Sequence, residues 1–156
     1  MNYNDWMRTV PTEITGDPLW HVEAYRLALF ASDLAWPDVS RLVQDRRTVS
    51  LSDQLYRSVG AVSSDIAEGY SRKSHKDQAR FYEYGLGSAR EGRNWYYEGR
   101  HVLGEKVTSH RLKLLTQVVR LLLTMIPNER AFALKEDGPE YRVIGDFSLT
   151  DDAPMS

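Results

Sequence analysis

Apolar residues recur along most of this chain at alternating spacings of three and four, and that rhythm restricts it to helices. The clearest case lies near the C-terminal third. Leu112, Leu115, Val119, Leu122 and Ile126 make one stripe, and Leu114, Val118, Leu121 and Met125 make a second beside it. A half-buried strand would alternate in twos, whereas spacings of three and four keep side chains on one face of a 3.6-residue turn. A helix apolar on two stripes must sit centrally in a bundle or be buried against another subunit. Thr108 is placed to cap its start and Pro127 to end it.

Three further segments share the rhythm. Asp17-Pro18 is a helix start, since Asp accepts from free N–H groups and Pro suits the first helical position. Trp20, Ala24, Leu27, Ala31 and Leu34 then form a face that Ala28 and Ala35 broaden, and Trp36-Pro37-Asp38 ends it. Residues 39–49, with Arg41, Arg46 and Arg47, read mainly as a connection. A second helix begins at a capping Ser50 with Asp53 three residues on, buries Leu55, Val59, Val62 and Ile66, and closes near Gly69 in a left-handed cap. The third starts at Ser74 with Asp77 three residues on and runs to Leu103-Gly104. Its seam is Gly85, Ala89, Gly92, Tyr96, Gly99 and Leu103. Interior glycine costs roughly 1 kcal/mol relative to alanine, so glycines on one stripe point to a second backbone packed closely there. Gly85, Gly87 and Ser88 mark the expected point of closest approach. A locally weak or kinked helix is the alternative.

With 156 residues, the chain fits one compact domain. The division expected is an N-terminal arm at 1–17 without sustained periodicity, an all-α, up-down four-helix bundle over 18–128, and a C-terminal tail over 129–156. That tail is acidic and largely irregular, although Tyr141-Arg142-Val143-Ile144 could add a short extended segment. There is no cysteine, so neither disulfides nor a thiolate metal site can form, which suits a reducing cytoplasm. The first residues show no signal-peptide pattern, and no apolar run is long enough to span a bilayer. The expectation is a cytoplasmic protein without a membrane partner.

Charge is uneven. Residues 1–40 carry a net −4, residues 41–127 a net +6, and residues 128–156 a net −4. Arg72, Lys73, Lys76 and Arg80 gather around the turn between the second and third helices, with Tyr70 and His75 among them. Arg90, Arg93 and Arg100 continue along the third helix, with Trp95 and Tyr97 interleaved. Arginines between aromatics can bind phosphates and stack on bases. They can equally be solvated stems packed at a subunit interface. Chemistry is harder to find. A carboxylate pair, Glu68 with Glu91, lacks a neighbouring nucleophile or histidine. Glu98-Gly99-Arg100-His101 imitates one Glu-x-x-His element of a di-iron bundle, but such a site needs two copies and further glutamates. His21, His75 and His110 have no carboxylate three or four residues further on, and no phosphate-binding glycine loop is present. No catalytic residues, metal ligands or cofactors are therefore assigned, and no enzymatic activity is expected.

Two blocks carry a family likeness. Ile66-Ala67-Glu68-Gly69-Tyr70-Ser71-Arg72-Lys73-Ser74 and Gly85-Leu86-Gly87-Ser88-Ala89-Arg90-Glu91, with Gln54-Leu55-Tyr56-Arg57 upstream, resemble the signature of the 23S rRNA intervening-sequence proteins. The likeness covers residues 19–128 and extends to the accessory protein of diversity-generating retroelements, which partners a reverse transcriptase. It implies an up-down bundle assembled as a homopentamer, without catalysis, associated with RNA or DNA. Carried onto this chain, it gives structural roles to Glu68, Gly69, Gly85, Gly87, Ser88, Glu91 and Gly92. If partly buried, the two glutamates would lock the second helix to the third. The chain departs from the pattern at Asp65, where the family has Asn. Together these readings describe a non-catalytic oligomeric scaffold that binds nucleic acid or a nucleic-acid enzyme through Arg72, Lys73, Lys76, Arg80, Arg90 and Arg93. The alternative is a purely protein–protein adaptor.

Overall fold

The computed structural model describes residues 1–130 and 152–156, and among these every regular element is helical. Two short helices, α1 (Tyr3–Met7) and α2 (Thr12–Thr15), precede a 3-10 turn at Pro18–His21. Then come α3 (Glu23–Leu42), α4 (Val49–Tyr70), α5 (His75–Glu98), the four-residue α6 (Arg100–Leu103) and α7 (Glu105–Glu129). The four long helices close a ring of contacts in which α4 packs on α3 and α5, and α7 on α5 and α3. The core lies between them.

Helix α7 is the central element. Leu114, Leu115, Val118, Val119 and Leu122 are all fully buried within the single chain. Burying each leucine there contributes roughly 1.5–3 kcal/mol. Both apolar stripes are thus covered without a second subunit, except for Leu112, Leu121 and Met125, which are half-buried at the margin. The helix also starts earlier than Thr108. Gly104, at φ +86°, ends α6 and turns the chain into α7 in the left-handed region that favours glycine. Thr108 sits inside the first turns of α7 with its hydroxyl buried and without a hydrogen-bond partner among the described residues.

Helix α3 continues through Pro37 instead of stopping there. A proline inside a helix costs roughly 3 kcal/mol. Continuing keeps Asp38 and Leu42 on the same buried face as Leu27, Ala31 and Leu34, and both are fully buried. Asp17 does cap, accepting from the Leu19 N–H at 2.8 Å, but what it caps is the 3-10 turn. The cap expected at Ser50 is absent because α4 begins at Val49. Thr48 precedes it and sends its hydroxyl back to the Leu42 carbonyl at 2.6 Å, satisfying the end of α3. Ser74 caps α5 as the spacing predicts, accepting from the Asp77 N–H at 3.1 Å. Gly99 remains right-handed and separates α5 from α6, so the third helix breaks shortly before its expected end.

The N-terminal arm is not loose. Trp6 is 2% exposed and Tyr3 7% exposed. Trp6 packs against Phe30 and Trp20 and donates its indole N–H to Asp33 on α3. Two aromatics in seven residues with no helical period hid a docking element that closes one side of the bundle core. In the tail, residues 152–156 have no regular secondary structure, yet Ala153 is buried. The segment 141–144 lies outside the described residues.

Candidate nucleic-acid interface

The α4–α5 turn is built by two short-range devices. Helix α4 runs on to Tyr70 without a left-handed cap, and Ser71 is right-handed. Gly69 is needed for another reason: a Cβ there would lie 2.9 Å from the Tyr82 ring and 3.0 Å from the Phe81 Cβ. The glycine lets the first turns of α5 close onto the end of α4. Arg72 then reaches back to Glu68 at 2.8 Å and lies over the Phe81 ring, 4.6 Å from its centroid. Arg80 flanks the same ring at 5.3 Å and pairs with Asp77 at 3.4 Å. Tyr84 meets Phe81 edge-on at 5.5 Å and is itself half exposed, as is Tyr70 to a lesser degree.

Acids are interleaved with these bases. His75 contacts Glu129 at 2.7 Å, and Arg130 pairs with Glu83. Among the described residues Lys73 and Lys76 make no ion pair, so they are the turn's two uncommitted cations. Exposed pairs such as Arg72–Glu68 contribute only about 0–1 kcal/mol, so these arginines can exchange one oxyanion for another at small cost. The other two expected contacts do not join this cluster. Arg90 is exposed about 15 Å further along α5. Arg93 is half-buried and donates to Thr116 of α7 at 3.1 Å.

The structural set divides similarly. Glu68 and Glu91 are both exposed and do not bridge the helices; Glu91 accepts from the Trp95 indole on its own helix at 3.1 Å. Arg72, stacked on Phe81, is one of the links between the end of α4 and α5. Ser88 does cross, donating to Asp65 at 3.2 Å, and burial raises the Asp65 pKa despite that bond. Closest approach is not at Gly87, which is exposed with nothing within 4 Å of a built Cβ. It is at Gly92, where a Cβ would stand 2.9 Å from Val59 Cγ2. Gly85 makes only ordinary contact, 3.5 Å from Asp65 Cβ.

Comparison with known proteins adds the family. The family model for the 23S rRNA-intervening sequence protein matches residues 22–124. The chain belongs to that family. No curated protein and no solved structure matches. The family match spans α3 to α7 and therefore contains the whole α4–α5 turn, with both signature blocks, while α1 and residues 152–156 lie outside it.

One group within the matched span was not anticipated from the sequence. Asp38, Tyr96 and Arg111, on α3, α5 and α7, are all at most 1% exposed. Asp38 accepts from Arg111 Nε at 2.7 Å, from Arg111 Nη2 at 3.1 Å and from the Tyr96 hydroxyl at 2.9 Å. Burial beside the Asp38 carboxylate holds the Tyr96 phenol well above its usual pKa, so it remains a donor. The signal was present: Arg111 falls four residues before Leu115 and Asp38 four after Leu34, opposite charges on two apolar stripes. Among the described residues no group of three or more His, Asp or Glu side chains could hold a metal ion, and no helix is long and apolar enough to cross a membrane.

Proposed function

We propose that this member of the 23S rRNA-intervening sequence protein family is a non-catalytic, homo-oligomeric scaffold. In this reading it is an up-and-down four-helix bundle that presents its α4–α5 turn to RNA or DNA. The observation that carries it is the composition of that turn. Two guanidinium groups are held against one ring, two lysines lack acidic partners among the described residues, and Tyr70 and Tyr84 stand exposed beside them. Cations and open aromatic faces around one turn suit phosphate contact with base stacking. Copies around a five-fold ring would turn a weak patch into a multivalent one.

The test is binding of a labelled RNA measured by anisotropy between 50 and 200 mM salt. Lys73→Ala with Lys76→Ala is the informative variant, because neither lysine supports the local packing as Arg72 and Arg80 do. It should weaken binding across sequences and shallow the log-affinity against log-salt slope by about 0.7–0.9 per lost contact. No binding at 50 mM salt would overturn the nucleic-acid assignment. Light scattering that finds only an 18.0 kDa species would overturn the oligomer.

A second reading, a protein–protein adaptor, has its own support on α3 and α4. Trp36 is 64% exposed and packs edge-on against the exposed Tyr56 at 5.8 Å. Exposed tryptophan and tyrosine are typical anchors of protein interfaces. With α7 covered inside one chain, this pair is the better candidate for the contact between copies.

A further inference from the structure

The buried Asp38–Arg111 pair has one ligand that comes from outside the helices. Arg111 Nη2 donates to the Pro154 carbonyl at 2.8 Å, and Ser156 donates its hydroxyl to Asp38 Oδ1 at 2.8 Å. The Ala153 N–H donates to the Met1 carbonyl at 3.1 Å, and the Ala153 side chain is 4% exposed. In five residues the segment thus supplies one acceptor, two donors and one small buried side chain. Those contacts match what the pair lacks: among the described residues, Nη2 and Oδ1 find partners only in each other and in this segment.

We infer that the end of the bundle bearing Asp38 and Arg111 is a peptide-docking site, and that residues 152–156 of the same chain occupy it as a releasable latch. The ligand it takes is a short peptide with a small side chain, a backbone carbonyl one residue later for Arg111, and a hydroxyl two residues beyond that for Asp38. Release follows from the balance of terms. Ordering the backbone of residues 152–156 on the bundle carries a conformational-entropy cost. Against it stand one buried methyl-sized side chain and a few hydrogen bonds, each of modest net worth. The terms are of similar size, so docking is poised and not fixed. An open latch uncovers a charged pair already arranged to receive backbone. The site stands apart from the α4–α5 turn, and this inference holds or falls without the nucleic-acid reading.

The test uses the absence of cysteine. Met155, which is half exposed, and Gln44, which is exposed, are each changed to cysteine in the full chain and spin-labelled. Pulsed electron resonance then reads the distance between the two labels. A docked latch gives one narrow distribution that survives tenfold dilution into unlabelled chain. Ala153→Glu, which puts a carboxylate where a buried methyl group sits, should broaden it severalfold while circular dichroism keeps its helical amplitude. Should that variant lose helicity, Ser156→Ala removes a single bond to Asp38 and should broaden the distribution in part. A distribution already broad in the parent chain overturns the inference. So does one unmoved by either substitution, and so does a narrow peak that dilution removes, since that would seat the segment on a neighbouring copy.

Discussion

Gly92 and Gly87 are five residues apart on one helix and face opposite demands. A methyl group at Gly92 would meet Val59 Cγ2 at 2.9 Å, and a larger side chain would also meet Leu115 Cδ1. At Gly87 there is open space. Gly87→Ala should therefore stabilise the protein by about 0.5–1 kcal/mol, the helix-propensity difference alone. Gly92→Leu should destabilise it by about 1–3 kcal/mol, because overpacking outweighs the same propensity gain. Urea midpoints of the two variants test the pair, and equal shifts of the same sign would sink the close-packing account. Spacing had marked the glycine stripe as a seam, and Gly85, Ala89, Gly92 and Tyr96 are all buried there. It could not say which glycine is tight, because that depends on which α4 side chain lies opposite. Arg111 illustrates the same limit. Its place on an apolar stripe was legible, while its partner, 73 residues away on α3, was not.

Elements were legible in proportion to their period. Helices α4, α5 and α7 announce themselves through long apolar stripes, and their boundaries moved by only a few residues. Pro37 misled because a local rule against proline competed with burial of Asp38 and Leu42 beyond it, and burial won. Helix α1 has five residues, too few to display a period, and its identity rests on docking. Trp6→Ala should accordingly cost about 3–5 kcal/mol, the usual range for emptying a buried aromatic site. Trp6→Phe retains most of the packing and loses only the bond to Asp33, so its cost should be nearer 1 kcal/mol. Denaturation of both variants checks the ordering. If Trp6→Ala melts with the parent protein, α1 is an appendage and not part of the core.

Across the whole molecule, the Asp38–Tyr96–Arg111 group joins α3, α5 and α7, and through Arg111 it meets residues 152–156. Its charge makes stability depend on pH through a neighbour. His110 Nδ1 lies 3.0 Å from Arg111 Nη1. A neutral imidazole can accept there and a charged one cannot. Burial, reinforced by the Arg111 charge, lowers the His110 pKa from 6.5 to about 4. The unfolded chain therefore takes up this proton near pH 6.5 and the folded chain only near pH 4. Between those values the unfolded state holds more protons, so stability rises with pH through that window. The full contribution is present above about pH 6.5 and declines as pH falls towards about 4. Below that, both states are charged and the loss is constant. Asp65 works in the opposite sense, since its raised pKa lets the folded state take up a proton first on acidification. His110→Gln isolates the histidine, because an amide oxygen can still accept from Arg111 but does not titrate. Urea midpoints measured from pH 7 to pH 4 should fall more steeply for the parent than for His110→Gln, with the difference developing below about pH 6.5. Asp65 is common to both proteins and cancels in that difference. Parallel curves would mean that His110 is solvated in the folded protein, and that the end of the bundle bearing Arg111 is open to water.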